Sequence, residues 1–516
     1  MKSTFFLLSI LSFSFLCAQE APEIEWSKNY GGTDNEEIYD IKQTTDGGSI
    51  VVGYSISSDI DISENKGLSD YLILKLDGNG SIEWQKTYGG TEIDIAYSVV
   101  MADDGGYIII GESYSTDGDV GEHHGSTQQS DIWLIKLDED GNIEQNKILG
   151  GLSDDIRPSI INTQDGGYAV IAVSSSNEGD ILMNHGGTDY WLVKLNSSME
   201  IEWSRTYGGS SNEGSLDVAS IAKTNDGGFI VGGNSRSIDG DLSGNFGSSD
   251  YWVFKTNQFG DLEWQKSYGG SGEDVGISVI ELAGGDYIVT GYTSSADGDV
   301  SFNYSDDGNT DIWVVRINQE GNLVWEKSLG NVDSEWGFSV LESNDGNIVL
   351  ASAIMSSGGD IGNHYGNFDS WITKLNLNGE IIWEKSYGGN ELELVNKIKI
   401  TNNEQLIFAG TSASNDFDLT NNYGFRDAWV VKLAPEQMST SESNSTEISI
   451  FPNPVKNILN FSEKLNDIQI FNLAGQRVLN VSDKNSINVS PLNPGTYLLK
   501  AKNQKGENIQ LKFIKK

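Results

Sequence analysis

Residues Trp84–Glu144 read WQKTYGGTEIDIAYSVVMADDGGYIIIGESYSTDGDVGEHHGSTQQSDIWLIKLDEDGNIE. The same plan occurs seven times along the chain, and the copies start at Trp26, Trp84, Gln145, Trp203, Trp264, Trp325 and Trp383. Successive copies start 58 or 61 residues apart. A repeat of this length cannot bury its own hydrophobic face, so the copies have to pack against one another.

Each copy contains four short runs rich in β-branched and aromatic residues, which is the composition of β-strands. In the stretch above they are Ile82–Tyr88, Ala96–Met101, Tyr107–Glu112 and Ile132–Leu137. Residues 103–106 (DDGG) and 138–142 (DEDGN) are tight hairpin signals, because Gly and Asn accept positive φ angles. A longer loop joins Ser113 to Asp131. Four antiparallel strands in each of several copies indicate the blades of a β-propeller.

The two ends of the repeat region predict how the ring closes. The seventh copy ends at Leu433, after its third strand, and lacks the Trp-bearing strand that follows in the other copies. Such a strand, Ile24–Tyr30, stands before the first copy's inner strand, and we expect it to pair with Ala428–Leu433. Closure removes the unpaired edges of an open array. We therefore predict an all-β, seven-bladed β-propeller over residues 21–434.

A second register of large side chains recurs in the third strand of each blade. It holds Leu72, Trp133, Trp191, Trp252, Trp313, Trp371 and Trp429. Burial of aromatic area dominates such cores, so these rings are predicted to pack between blades. The outer-strand Trp register is broken only at Gln145, which predicts that the third copy is the most weakly packed.

The repeats resemble the bacterial β-propeller repeat family often called SBBP. Matching segments include Tyr268–Asp274 (YGGSGED) and Asp250–Lys255 (DYWVFK). The resemblance spans about Trp26 to Leu433 and implies the propeller fold, but it says little about activity because propellers serve both binding proteins and enzymes.

The N-terminus and the composition indicate an exported protein. Residues 1–18 combine Lys2, the apolar run Phe5–Leu16 and a small-residue exit, which is typical of a secretory signal peptide. A lipoprotein signal cleaved at Cys17, the only cysteine, is the alternative. No later segment is apolar enough to span a membrane. The net charge of −42 disfavours nucleic acid as a partner and favours cations or basic partners. We expect a monomer.

Acidic residues recur at fixed places in the seven copies. Each inner strand opens on a carboxylate, and these residues are predicted to ring the mouth of the central channel: Glu36, Asp94, Asp155, Glu213, Asp274, Glu335 and Glu393. Each long loop ends on another, at Asp70, Asp131, Asp189, Asp250, Asp311, Asp369 and Asp427, where a clamp on backbone N–H groups is expected.

A further acidic register lies inside the long loops, mostly as D-x-D pairs. Its members are candidate calcium ligands: Asp59, Asp61, Asp117, Asp119, Asp180, Asp239, Asp241, Asp297, Asp299, Asp360, Asp416 and Asp418. Clustered oxygen ligands suit Ca²⁺, although the spacing differs from that of the twelve-residue calcium loop. The alternative is that these aspartates cap N–H groups in Gly-rich loops. No other cofactor is indicated.

The composition changes after Pro435. Residues 435–446 form a Ser/Thr-rich linker, and residues 447–516 contain at least five short runs, enough for a small C-terminal β-sandwich. This segment resembles the type A C-terminal sorting domain of the type IX secretion system of Bacteroidota. The resemblance rests on Phe451, Pro452, Asn453, Pro454, Asn457, Ile470–Asn472, Gly475–Val478, Leu492, Pro494, Gly495, Thr496, Tyr497 and Lys512–Lys516. It implies passage through the type IX machinery to the medium or the outer-membrane surface.

Two functions of different class fit the sequence. One is a non-enzymatic binding or adhesion module that presents its acidic loop face to glycans or to another surface protein. The other is an extracellular polysaccharide hydrolase or lyase with its site at that face. Near-equivalent copies favour the first, because catalysis needs an asymmetric set of residues. No catalytic residue is assigned.

Overall fold

The structure is a computed structural model. It describes residues 19–516 except 122, 215–219, 306–307, 420, 437–449, 473–476, 483 and 503–507. The described residues form two compact units, residues 19–436 and residues 450–516. The predicted signal peptide, most of the predicted linker and the motif residue Gly475 lie outside the described residues.

The first unit contains 28 strands in seven antiparallel sheets of four. The first half comprises β1 (Ile24–Tyr30), β2 (Glu36–Gln43), β3 (Ser49–Ser55), β4 (Asp70–Leu76), β5 (Ile82–Tyr88), β6 (Asp94–Met101), β7 (Tyr107–Ser113), β8 (Asp131–Leu137), β9 (Ile143–Leu149), β10 (Asp155–Asn162), β11 (Tyr168–Ser174), β12 (Asp189–Leu195), β13 (Ile201–Tyr207) and β14 (Ser220–Lys223). The second half comprises β15 (Phe229–Ser235), β16 (Asp250–Thr256), β17 (Leu262–Tyr268), β18 (Asp274–Glu281), β19 (Tyr287–Thr293), β20 (Asp311–Ile317), β21 (Leu323–Leu329), β22 (Glu335–Glu342), β23 (Ile348–Ile354), β24 (Asp369–Leu375), β25 (Ile381–Tyr387), β26 (Glu393–Ile400), β27 (Leu406–Ser412) and β28 (Asp427–Leu433).

Six blades are formed by four strands that are consecutive in sequence, as in the order β2-β3-β4-β5. Blade one is β2–β5, and the numbering continues to blade six, β22–β25. The outer strand of each blade is therefore the strand that opens the next sequence repeat. The predicted seven-bladed β-propeller is confirmed.

Blade seven is built from both ends of the repeat region, in the order β1-β28-β27-β26. Lys28 pairs with Val430 and Tyr30 with Ala428 in an antiparallel ladder. The indole Nε1 of Trp429 donates to Ser27 Oγ at 2.9 Å. The predicted closure is confirmed, and β1 covers what would otherwise be an exposed strand edge.

The Trp register lies between blades, as predicted. The six tryptophans are fully buried. The ring of Trp133 lies 4.5 Å from the ring of Tyr71 in the preceding blade, and the Tyr71 hydroxyl donates to the Trp133 carbonyl at 3.0 Å. One core cluster contains Val52 and Ile73 of blade one together with Ile109 and Trp133 of blade two. Each such cluster holds two neighbouring blades together.

The loss of the outer-strand Trp at Gln145 is compensated by a larger residue in the facing hairpin of the next blade. An outer-strand Trp normally lies over a hairpin glycine of the next blade; a Cβ on Gly141 would come within 2.9 Å of the Trp84 ring. Where the outer strand has Gln145 instead of Trp, the hairpin of the next blade has Met199 instead of Gly. Met199 keeps the left-handed backbone (φ 61°) and is only 2% exposed. Met199 packs into the core between blades two and three. The predicted weak packing at this site is therefore not found.

We expect Met199→Gly to lower the free energy of unfolding by about 2–4 kcal/mol, because a buried side chain is lost beside a short Gln. Adding Gln145→Trp should recover much of this loss by restoring the Trp–Gly pair of the other blades. Urea unfolding of the two single variants and the double variant measures the coupling. A double variant no more stable than Met199→Gly alone would contradict the compensation.

The second unit contains six strands in one sheet that folds back over its own core. They are β29 (Ile450–Phe451), β30 (Ile458–Asn472), β31 (Arg477–Val481), β32 (Lys484–Asn488), β33 (Gly495–Lys502) and β34 (Asn508–Lys515). The 15-residue strand β30 pairs with β29 and β32 along its first part and with β31 and β33 along its second. The core includes Leu459, Ile470, Leu499 and Phe513.

Two sequence blocks that are distant in the chain meet in this unit. The N–H of Ile514 donates to Asn453 Oδ1 at 2.8 Å, and the N–H of Val455 donates to the Ile514 carbonyl at 2.8 Å. The segment after Phe451 is thereby bound to the C-terminal strand. The ring of Tyr497 stacks on Phe513 at 5.6 Å. Two of the described motif residues, Asn453 and Tyr497, thus hold parts of this unit together.

Candidate functional site

The ring has two faces because the strands of each blade alternate in direction. Tight hairpins lie at one end of the blades, here called the hairpin face. The other end, the loop face, carries the connectors between blades and the long loops 56–69, 114–130, 175–188, 236–249, 294–310, 355–368 and 413–426.

The seven carboxylates predicted to ring the channel mouth are instead buried, and this part of the prediction is wrong. Glu36, Asp94, Asp155, Glu213, Asp274, Glu335 and Glu393 are all 0% exposed. Each accepts a hydrogen bond from the connector that precedes it, as in Gly90 N–H to Asp94 Oδ2 at 2.8 Å. Serine or threonine hydroxyls in the next strand add further bonds, as from Ser55 to Glu36 Oε1 at 2.6 Å. The carboxylates fold the connector back onto the inner strand.

The aspartates that end the long loops act as backbone clamps, as expected. Asp70 accepts from the N–H of Lys66 at 2.8 Å, and Asp427 accepts from the N–H of Tyr423 at 2.7 Å. In all seven copies the other oxygen, Oδ1, is buried and has no hydrogen-bond partner among the described residues.

These clamps lie beside the inner-strand carboxylates, so that each junction between blades contains a buried carboxyl pair. A Cβ on Gly269 would lie 2.5 Å from both Asp250 Oδ1 and Asp274 Oδ2, which explains why glycine is needed in the connector. The seven pairs are Asp70 with Asp94, Asp131 with Asp155, Asp189 with Glu213, Asp250 with Asp274, Asp311 with Glu335, Asp369 with Glu393, and Asp427 with Glu36.

The pairs strongly perturb their own ionisation. Burial, reinforced by the neighbouring Asp70 carboxylate, raises the pKa of Asp94 to about 6. The same two causes raise the pKa of Asp155 to about 7 and that of Glu335 to about 8. A charged carboxylate without water or a cation as partner is costly in such a site, so protonation relieves the pair.

The candidate calcium ligands are engaged in the loops themselves. Eleven of the twelve accept a hydrogen bond from a connector N–H: Asp59, Asp61, Asp117, Asp119, Asp180, Asp239, Asp241, Asp297, Asp299, Asp416 and Asp418. Asp360 accepts from the Tyr304 hydroxyl at 3.0 Å. Within the described part of the chain, no three His, Cys, Asp or Glu side chains are arranged so as to hold a metal ion. This geometry favours the capping alternative.

We expect calcium to raise the melting temperature no more than magnesium does. The loop aspartates already satisfy backbone donors, and a cation would have to displace those bonds. Thermal unfolding in EDTA, in millimolar magnesium and in millimolar calcium at matched ionic strength tests this. A shift specific to calcium would restore the calcium hypothesis.

The loop face exposes many large apolar side chains. In the described residues they are Ile56, Ile60, Leu68, Ile93, Leu152, Leu182, Met183, Ile238, Phe246, Phe302, Val332, Met355, Tyr365, Phe417, Tyr423 and Phe425. The described hairpin end has five such residues: Phe259 and Leu377 in the hairpins, and Leu262, Leu323 and Val324 at the start of outer strands. This concentration of exposed apolar side chains makes the loop face the candidate contact surface. Sequence reasoning missed it, although these residues stand out in loops otherwise rich in Gly, Ser, Asn and Asp.

The central channel holds a small polar cavity of about 100 Å³, lined by the inner strands of all seven blades. Its wall includes Tyr39, Asp40, Tyr97, Arg157 and Lys397. Tyr39 and Tyr97 lie 4.8 Å apart, and the Tyr97 hydroxyl donates to Glu112 at 3.2 Å. Burial raises the pKa of Glu112 above its ordinary value. The side chains that line the channel therefore differ from blade to blade more than the sequence repeats predict.

Residues 449–516 match the family described as the secretion system C-terminal sorting domain. The chain is accordingly a secreted or cell-surface β-propeller protein that carries a type IX sorting domain. Among the described residues, no helix is long and apolar enough to cross a membrane. No curated protein matches the chain.

Several solved structures resemble the chain distantly. A protein of unknown function from Bacteroides caccae is 13% identical, with a TM-score of 0.35 over 61% of this chain and 90% of that chain. A protein of unknown function from Dyadobacter fermentans is 9% identical, with a TM-score of 0.37 over 80% and 99%. A fungal alcohol oxidase solved with copper is 11% identical, with a TM-score of 0.44 over 96% and 99%. Similarities this distant carry no inference about function.

Proposed function

We propose that the protein is a secreted, non-enzymatic binding module, and that a protein on a cell surface docks on its loop face. We also infer from the repeat and sorting motifs an SBBP-like protein of Bacteroidota. The observation that carries the binding proposal is the exposed apolar surface of the long loops. Leu182 is 85% exposed and Phe425 is 73% exposed, and each costs free energy in water unless a partner covers it.

The composition of the loop face favours a protein over a glycan. Ten of its sixteen exposed apolar residues are aliphatic or methionine, as at Ile60, Leu182, Met183 and Ile238. Glycans stack on aromatic rings, whereas aliphatic side chains and methionine pack against other side chains. The hydrolase alternative has less support, because the repeated carboxylates at this face are buried or bonded to backbone N–H groups.

The test compares two sets of substitutions on opposite faces. One variant carries Leu182→Ser, Phe246→Ser and Phe425→Ser on the loop face. The control carries Phe259→Ser and Leu377→Ser on the hairpin face, where these side chains are 60% and 40% exposed. Binding of labelled mature protein to cells of the producing organism is measured by titration. We expect the loop-face variant to bind at least about tenfold more weakly, and the control to bind as the parent does.

Treating the cells before the binding measurement distinguishes a protein partner from a glycan partner. Trypsin treatment should abolish binding, and periodate oxidation of surface sugars should leave it unchanged. Binding that survives trypsin but not periodate would contradict the protein partner in favour of a glycan. Equal losses in both variants would contradict the role of the loop face.

A further inference from the structure

The inner strands of five blades carry a serine at the same register position, and the inner strands of the other two blades carry a charged residue there. The position lies opposite the fourth residue of the second strand. The five serines are Ser98, Ser159, Ser220, Ser278 and Ser339. Two residues later the side chain is apolar: Val100, Ile161, Ala222, Ile280 or Leu341. Blade seven has Lys397 and Lys399 at these two places, and blade one has Asp40 and Lys42.

Four of the five serines, Ser98, Ser220, Ser278 and Ser339, accept a hydrogen bond from a backbone N–H of the next blade, which a lysine ammonium cannot do. Ser278 Oγ accepts from the N–H of Val340 in the next blade at 3.3 Å, and Ser220 accepts from Val279 in the same way at 3.0 Å. From blade seven to blade one this bond is absent, and the N–H of Ile41 instead donates to its neighbour Asp40 at 2.9 Å. Lys397 therefore does not take the place of the serine in this bond between blades.

Lys42, Lys397 and Lys399 are half-buried, and they lack the carboxylate partners that the fully buried lysines of this protein have. On the hairpin face, Lys75 lies 2.8 Å from Asp46 and 2.7 Å from Glu83, and Lys194 has two carboxylates in the same way. Among the described residues, none of Lys42, Lys397 and Lys399 forms an ion pair with a carboxylate within 4.0 Å. The Asp40 carboxylate partly offsets the charges of Lys397 and Lys399, but it also accepts hydrogen bonds from the Ser98 hydroxyl and from the N–H of Val99.

The ionisation of the cluster reflects this imbalance. Burial, together with the charges of Lys42 and Lys397, holds the pKa of Lys399 well below its ordinary value. Burial acts to raise the pKa of Asp40, but the three ammonium groups outweigh it and bring that pKa below the ordinary range. An anion beside the lysines would remove the repulsion between them.

We propose that Lys42, Lys397 and Lys399 form a binding site for a small oxyanion, such as phosphate or sulfate, inside the central channel at the junction of blades seven and one. Lys397 and Asp40 line the channel cavity of about 100 Å³, and Lys399 and Lys42 follow on the same strand faces toward the hairpin face. A cavity of this size admits a small anion and excludes a sugar chain. Three ammonium groups supply the donors that a tetrahedral oxyanion needs.

The test measures thermal unfolding of the full mature chain in phosphate, sulfate and chloride at one ionic strength. Phosphate and sulfate should raise the melting temperature with a saturating dose dependence, and chloride should not. The double variant Lys397→Ser, Lys399→Leu places the residues of blade six in blade seven and is expected to fold. Its oxyanion affinity should fall by at least about tenfold. Lys266→Met, on an exposed outer-strand lysine, is the control and should behave as the parent.

Two results would overturn the site. The first is that phosphate and sulfate do not raise the melting temperature of the parent, or that they raise the melting temperature of the double variant as well. The second comes from the anion-free buffer, where removal of uncompensated charge should leave the double variant at least as stable as the parent. A clear loss of stability there would mean that the lysines serve the fold instead.

Discussion

Deleting residues 19–30, and with them strand β1, is expected to lower the melting temperature of the ring by at least about 10 °C. β1 supplies a full ladder to β28 and covers the edge beside Trp429. Its loss also removes the bond from the Tyr387 hydroxyl to the Pro22 carbonyl at 2.7 Å. Differential scanning calorimetry measures the change.

A circular permutant keeps the strand β1 in blade seven but joins it to the end of β28, and so shows whether the loss of stability in the deletion variant comes from the missing strand. The N–H of Ala434 donates to the Glu23 carbonyl at 2.8 Å, so the two segments are already adjacent. A short hairpin such as Asp77–Ser81 can therefore join Leu433 to Ile24 in a chain that begins at Gly32. We expect this permutant to recover most of the lost stability. An unchanged melting temperature in the deletion variant would show that the closure contributes little.

Lowering the pH from 8 to 5 is expected to stabilise the protein, which is unusual for a protein with many carboxylates. Five members of the buried pairs have folded-state pKa values well above those of the unfolded chain: about 6 for Asp94, about 7 for Asp155, Asp311 and Asp369, and about 8 for Glu335. The folded state therefore binds more protons. The stability they contribute is present below about pH 4 and is lost as the pH rises through 6 to 8.

At about 1 kcal/mol for each of these five carboxyl groups, the expected shift in melting temperature is on the order of 5 °C. Below about pH 3 the trend should reverse. The bond from Lys75 brings the pKa of Asp46 down to about 2 although burial acts to raise it, so stability from that ion pair is lost as the pH falls through 2. The stability maximum should lie near pH 4 to 5.

Glu335→Gln provides the specific test of the carboxyl pairs, because general repulsion in a chain of charge −42 has the same sign. The neutral amide can donate to the buried, unpartnered Oδ1 of Asp311. This variant should be more stable than the parent at pH 8 and should show a smaller change between pH 8 and 5. Glu320→Gln, on an exposed hairpin residue, is the control. Parallel pH profiles for Glu335→Gln and the parent would contradict the role of the pairs.

The sequence predicted the ring well because its signals are repeated and depend on burial. A large ring such as Trp133 or Trp191 recurs in the third strand of six blades and can be buried only between blades, and the missing strand after Leu433 indicates the closure. Such features follow from periodicity and from the need to pair strand edges.

The buried carboxyl pairs could not be predicted in the same way. An acid at the start of a strand, such as Asp94, has the same pattern whether its side chain meets water or the N–H of Gly90. The outcome depends on how the connector folds back over the side chain, and a sequence pattern does not contain that path. The lysine cluster differs, because Lys397 and Lys399 break registers that can be read in the sequence. The break is missed when only the acidic positions of the copies are compared.

The closure of blade seven also places both ends of the ring's chain at one face. Glu23 and Ala434 are hydrogen-bonded neighbours at the hairpin face. A label or tether joined to the ring at either of these residues would sit at the hairpin face. The exposed side chains of Leu182 and Phe425, at the other end of the blades, would stay clear of it.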